Sequence, residues 1–427
     1  MRQEKTGTGA EFNRGWSVLS SNPRACAPAA FISTLSLRFD KPMTTPYFLQ
    51  RLVLLFSVLI APAAWSAAII PPPPELGAKS WVLMDAASGT VLVDHQGDLR
   101  LPPASLTKLM TAYIATLEIQ RGQIHESDMV TISEKAWRME GSKMFVKVGD
   151  QVSVNDLFHG IIIQSGNDAS VALAEHIAGD EDAFAALMNG EAQRLGMHNS
   201  HFLNATGWPA ESHYSTALDM AKLARAIIYA DPAHYAIYSQ KEFLWNGIKQ
   251  PNRNLLLWRD DGVDGLKTGH TEEAGYCLVA SAQRGGERLI AVVFGTESEA
   301  ARAVETAKLL GYGFRFYESK VFYNKGDVLA DAPVWKGAVG TVKAVLAEPL
   351  AISVPRGELG ALGTQLVLKP TLIAPVKQGD VIGKIEIRRD DKVLKQVDVV
   401  AQEDVKEGGF LRRVWDSIRL FFKGLFG

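Results

Sequence analysis

The sequence predicts an α+β domain over residues 68–320, a small all-β domain over residues 321–402 and an amphipathic helix over residues 408–427. Three observations carry this. Between 80 and 317, strand pairs about tight turns are interleaved with apolar helical stretches, the pattern of an α+β domain. From Val321 to Val400, short Val/Ile/Leu runs are separated by Gly, Pro and Asp with no long helical period, the signature of an all-β unit. In the tail, apolar residues return at the 3.6-residue helical repeat.

The elements follow in order. In MTTPYFLQRLVLLFSVLIAPAAWSA, residues 43–67, Arg51 precedes an apolar stretch from Leu52 to Ala61, and Ala64-Trp65-Ser66 offers a small-x-small cleavage site. A positive flank, a short apolar segment and a small-residue exit read as a secretory signal peptide. Residues 1–42 show no periodicity, so translation is expected to start at Met43, with 1–67 as leader and 43–66 as signal peptide. Its removal takes Cys26 away and leaves Cys277 unpaired in an oxidising compartment. Pro71 to Pro74 form a stiff spacer. Residues 80–94 read as two strands about a turn at Ala86–Gly89. Residues 105–120, after Pro102-Pro103, read as an apolar helix opened by a serine. Gly160–Ile163 is a short apolar run of strand character. Helices are expected over 168–178 and 216–230, the second capped by Ser215 or Thr216. Residues 276–295 read as two strands joined across Gly285-Gly286, and 298–317 as a helix.

After Gly408-Gly409, Phe410, Leu411, Val414, Trp415, Ile418, Phe421, Phe422 and Leu425 share one helical face. Arg412, Arg413, Arg419 and Lys423, with Asp416, fall mostly on the other. A basic amphipathic helix with aromatics suits a membrane surface, lying in its plane. The same pattern also describes a helix docked on its own domain.

Composition narrows the function. The chain has 427 residues, 47% hydrophobic and 22% charged, enough to bury a core and exclude general disorder. A net charge of −2 argues against a nucleic-acid partner held by a basic surface. Two cysteines cannot build a disulfide scaffold or a four-thiolate zinc site. His198 and His201 lack a third ligand in register and no His-Glu-x-x-His occurs, so neither a metal nor another cofactor is expected. No apolar run reaches the roughly 18–20 residues of a membrane span.

Three short motifs carry chemistry. In Ser105-Leu106-Thr107-Lys108, positions i and i+3 share a helix face, so the amine can reach the hydroxyl. A serine is a poor nucleophile until a base takes its proton, and a lysine is a base only when burial or a nearby positive charge lowers its pKa. In Ser165-Gly166-Asn167, a hydroxyl and an amide on a tight turn can relay a proton and hold a substrate amide. In Lys267-Thr268-Gly269, the bare glycine lets a substrate backbone approach a strand while Lys267 and Thr268 fix a carboxylate. Taken singly, these read more readily as a solvated pair, a helix cap or turn, and an exposed turn lysine.

Taken together and in this order, they form the motif set of penicillin-binding proteins and class A β-lactamases. With the segments 104–108, 164–168 and 264–271, the β domain and the amphipathic tail, the chain resembles the low-molecular-mass penicillin-binding proteins: the serine-type D-alanyl-D-alanine carboxypeptidases (peptidase S11-like) that trim bacterial cell-wall peptides. The resemblance implies a β-lactamase/transpeptidase-like fold, an antiparallel sheet with helices. It implies Ser105 as the acylated nucleophile, Lys108 as its base, Ser165 as proton relay to the leaving D-alanine and Asn167 as holder of the substrate amide. Lys267 and Thr268 would take the terminal carboxylate, and the oxyanion would sit between the Ser105 N–H and one beyond Gly269, near His270. Arg253 and Arg302 would assist with the carboxylate, or make surface ion pairs. The implied partners are peptidoglycan stem peptides, β-lactam inhibitors and a membrane surface, at the periplasmic face of the inner membrane. Glycine replaces aspartate in the second motif, and no Glu-x-x-Leu-Asn segment supplies a deacylating glutamate, so β-lactams are expected to inhibit rather than turn over. The alternatives are a serine β-lactamase and a non-catalytic peptidoglycan-binding scaffold.

Overall fold

The computed structural model describes residues 70–426; the leader expected over residues 1–67 lies outside them. The central sheet contains β1 (Ser80–Asp85), β2 (Val91–His95), β3 (Val263–Thr271), β4 (Gly275–Arg284) and β5 (Glu287–Thr296). Their spatial order is β2-β1-β5-β4-β3, and every neighbouring pair is antiparallel. Both hairpins read from the sequence are present. Successive strand side chains point to opposite faces, and β1 is buried along its whole length. Val82 and Met84 therefore enter one core while Trp81 and Leu83 enter another.

Helices cover both faces. α1 (Lys108–Gln120), α2 (Asn167–Ala178) and α3 (Ala217–Ala230) build the first core, and α4 (Glu299–Phe316) builds the second. Thr216 caps α3 by accepting the Asp219 N–H, and Ser298 caps α4 by accepting that of Ala301. The run at Gly160–Ile163 departs from expectation. It is helical, continuing the helix Val154–His159 to Gln164. A short apolar run buried on all sides has no polar face from which to read a period, so the helix and strand readings were degenerate in sequence.

Between Tyr317 and Ala401 the chain forms a six-stranded sheet and a separate two-stranded one. Val342, Ala344, Leu350, Ile385, Val397 and Val399 lie in its core. Polar contacts join it to the first domain: Ser319 Oγ donates to Asp85 Oδ2 at 2.7 Å, and Lys395 Nζ to the Ser88 carbonyl at 3.0 Å.

The last helix, α5 (Phe410–Phe426), rests on this β domain by its polar face. The Lys336 N–H donates to the buried Asp416 carboxylate at 2.7 Å, and Arg412 donates to the Ala338 carbonyl at 3.0 Å. Arg419 and Lys423 lie over the Trp335 ring. Phe410, Leu411, Trp415, Phe421 and Leu425 are exposed. The two sequence readings of this helix are thus compatible, because it docks through its charges and leaves its apolar face outward. Among the described residues no helix is long and apolar enough to cross a membrane.

Candidate active site

Ser105 lies in a tight 3-10 turn, Ala104–Thr107, and α1 proper begins at Lys108, one turn later than the sequence suggested. Side chains three apart nearly eclipse in a 3-10 turn, which brings Lys108 Nζ to 3.0 Å from Ser105 Oγ. The amine also donates to the Thr206 carbonyl at 2.6 Å. Lys108 is buried, and that burial, with the nearby Arg253 charge, lowers its pKa to about 7 against a smaller opposing pull from Asp168. A neutral Lys108 turns the 3.0 Å contact round, so that the Ser105 O–H donates and the amine accepts.

Ser165 ends the helical run from Val154 in a left-handed conformation, φ 68°, which aims its side chain back towards β3. Its hydroxyl accepts from Lys267 Nζ at 2.8 Å, and Lys267 also donates to the Thr268 carbonyl at 3.0 Å. Lys267 is pushed well below the usual lysine range, first by burial and then by the charges of Lys108, Arg253 and Arg302. Asn167 opens α2; its Nδ2 donates to the Glu140 carbonyl at 2.6 Å and its N–H to that of Ser142 at 2.7 Å.

β3 is an edge strand, and its open side meets the nucleophile turn. A Cβ on Gly269 would stand 3.0 Å from the Pro103 carbonyl oxygen and 3.2 Å from the Leu106 nitrogen. The missing side chain is what lets strand and turn sit this close.

Ser105, Ser165, Asn167, Arg253, Thr268, Gly269, His270 and Arg302 line a cleft of about 520 Å³. Lys108 and Lys267 lie beneath it, reached through the two serine hydroxyls. His270 is exposed and stacks on Tyr276, ring centroids 3.9 Å apart. Arg253 is exposed at the rim, whereas Arg302 is buried, paired with Glu299 at 3.3 Å and bonded to the Arg253 carbonyl.

Two supports escaped the sequence reading. Asp168 is fully buried and its carboxylate accepts the N–H groups of Met144, Phe145 and Val146, clamping the loop beside Asn167. Asn204 Oδ1 accepts the N–H groups of Thr206, Gly207 and Trp208, shaping the turn that aims the Thr206 carbonyl at Lys108. The signal for the second was an Asn followed closely by Gly, an Asx-type turn.

A serine hydroxyl on a buried lysine of lowered pKa, beside a second Ser–Lys pair and two arginines, is an arrangement suited to a serine hydrolase. The D-alanyl-D-alanine carboxypeptidase family model (Peptidase S11) matches residues 67–298, and that of the penicillin-binding protein 5 C-terminal domain matches 317–407. D-alanyl-D-alanine carboxypeptidase DacC of Escherichia coli (strain K12) is 44% identical over 87% of this chain and 95% of its own length. The crystal structure of penicillin-binding protein 5 from Haemophilus influenzae is similar with a TM-score of 0.71 and 42% identity, covering 79% of this chain and all of that one. Penicillin-binding protein D2 from Listeria monocytogenes, in its ampicillin-bound form, is similar with a TM-score of 0.53 and 30% identity over 57% of this chain. The chain belongs to the D-alanyl-D-alanine carboxypeptidase family of serine peptidases.

Proposed function

We propose that this enzyme removes the terminal D-alanine from peptidoglycan stem peptides through an acyl-enzyme on Ser105. The observation that carries the reading is the 3.0 Å contact between Ser105 Oγ and a buried Lys108 whose pKa lies near 7. The neutral amine takes the Ser105 proton as Oγ attacks the penultimate D-alanine carbonyl carbon. Backbone N–H groups of Ser105 and of β3 near His270 stabilise the oxyanion. The C–N bond then breaks, and the leaving amine receives a proton by way of Ser165. Water hydrolyses the ester and restores Ser105. Thr268 and Arg253 meet the terminal carboxylate at the cleft surface, with Lys267 acting from below through Ser165 and Asn167 holding the substrate amide. Arg302 adds positive charge from behind.

Incubation with benzylpenicillin followed by intact-mass measurement and peptide mapping tests this. The expected result is one long-lived penicilloyl adduct per chain, on Ser105. An adduct elsewhere, or rapid penicillin turnover, overturns it.

The same proposal includes export by the leader and attachment to the periplasmic face of the inner membrane through α5. Exposed aromatics on a helix whose charges are engaged by its own domain suit a lipid surface. Deleting residues 408–427 is expected to move the enzyme from the membrane pellet to the supernatant with D-alanine release intact. A truncated protein that still pellets overturns the attachment.

A further inference from the structure

His213 is a buried titratable group to which the chemistry above gives no part. It opens a three-residue segment, 213–215, that lies between two other stretches of chain. On one side, Ser215 exchanges backbone hydrogen bonds with Leu101, both at 2.9 Å, on the chain that runs into the nucleophile turn. On the other, Tyr214 exchanges them with His201, at 2.9 and 3.1 Å, on the chain that runs into the 204–208 turn. That second turn supplies the Thr206 carbonyl to Lys108. The segment therefore holds together the two turns that meet at the Ser105–Lys108 contact.

The imidazole closes this clasp. The Leu203 N–H donates to His213 Nδ1 at 3.2 Å, so that nitrogen carries the lone pair. A neutral imidazole then has its proton on Nε2, and Nε2 donates to Thr107 Oγ1 at 2.9 Å. Thr107 is itself fully buried and stands between Ser105 and Lys108 in the chain. Phe202 meets the imidazole edge-on, ring centroids 5.8 Å apart, which fixes the ring's rotation. Burial first, and then the nearby His201, push the His213 pKa down to about 4, so this tautomer persists through the neutral range. Ser105 is thereby bracketed, with Leu101 before it and Thr107 after it both pinned to the same short segment.

We propose that His213 is a positioning residue for acylation, whose Nε2–H holds Thr107, and with it the 3-10 turn, in the register that keeps Ser105 Oγ on the Lys108 amine. The inference rests on the Ser105 acyl-enzyme given above and adds to it what fixes the nucleophile. A reacting atom misplaced by about 1 Å can cost about a hundredfold in rate. The groups that line the cleft for a ligand, Asn167, Arg253 and Thr268, stand on other elements. Loss of the His213–Thr107 bond therefore acts on the chemical step and spares the binding step.

The experiment measures labelling by a fluorescent penicillin against its concentration and against pH, well below each variant's melting temperature. The readouts are the limiting acylation rate, the half-saturating concentration and the pH of the acid limb. His213→Asn keeps an acceptor for the Leu203 N–H but no longer reaches Thr107, and Thr107→Val removes the same bond from its other end. Each is expected to lower the limiting rate by about ten- to a hundredfold, with the half-saturating concentration and the acid limb in place. Combined, they should cost no more than either alone, and Thr107→Ser, which keeps the oxygen, should recover most of the rate. Effects that multiply in the double variant overturn the proposal. So does a wild-type limiting rate in either single variant, or a limb that moves in His213→Asn, which would make the imidazole the titrating base. Should His213→Asn not fold, equal rates in Thr107→Val and Thr107→Ser overturn it on their own. Wild-type labelling on a residue other than Ser105 overturns the acyl-enzyme reading instead, so the two failures are separable.

Discussion

Lys108→Ala is expected to slow acylation of Ser105 by roughly 10²–10⁴-fold, the range ascribed to a positioned general base. The wild-type pH profile should show the same group. Only neutral Lys108 can take the serine proton, and its pKa is lowered to about 7 by burial and by Arg253. The second-order rate of penicillin acylation should therefore fall about tenfold per pH unit on the acid side and level off about one unit above 7. The sign is that of a base, with activity gained as pH rises. Lys267 is the competing candidate, since it too is buried, has a lowered pKa and bonds a serine hydroxyl at 2.8 Å. The two amines repel when both are charged, so their titrations are coupled. Variants separate them. Lys267→Ala should weaken binding of carboxylate-bearing ligands and retain the acid limb, whereas Lys108→Ala should remove the limb along with the rate. An unchanged limb in Lys108→Ala, or acylation near the wild-type rate, would refute the assignment.

The parts of the site written as local spacing were legible in the sequence. Ser105 and Lys108 are three apart on one turn, and a close contact follows from helical geometry whether the turn is 3-10 or α. The β4–β5 hairpin announced itself through Gly285-Gly286 between apolar runs. Contacts made across long sequence separations were not legible. Asp168 adjoins a recognised motif, but its partners are the backbone of residues 144–146, and a carboxylate gives no sequence sign of which N–H groups it will meet. The Thr206 carbonyl is a backbone group, invisible to any reading of side-chain types. The sequence of α5 read as a helix for a membrane surface or for docking on its own domain, but gave no sign that Asp416, Arg412 and Arg419 would be turned onto Lys336, Ala338 and Trp335. An amphipathic period fixes which residues share a face but not which face meets the protein.

Gly207→Ala is expected to damage both stability and catalysis, because one methyl group at that position has nowhere to go. Gly207 has φ +80°, and an added Cβ would lie 1.7 Å from the Ala104 carbonyl oxygen, 2.4 Å from its carbon and 2.9 Å from Thr107 Oγ1. The first two atoms are backbone, immediately before the nucleophile, and cannot rotate away. Left-handed strain of about 1–2 kcal/mol and overpacking of about 1–3 kcal/mol act together. Relief requires the 204–208 turn to retreat from the Ser105 turn. That retreat carries off the Thr206 carbonyl and leaves the Lys108 amine without its 2.6 Å acceptor. Denaturant unfolding should therefore show a loss of about 2–5 kcal/mol, with penicillin acylation slowed in whatever fraction remains folded. Gly190→Ala is the matched control. Gly190 lies on the exposed side of the helix Glu181–Arg194 with no atom within 4 Å of an added Cβ, and alanine there should stabilise the fold by about 0.5–1 kcal/mol. If Gly207→Ala unfolded at the wild-type midpoint and acylated at the wild-type rate, the close approach of the two turns would not be what positions Ser105.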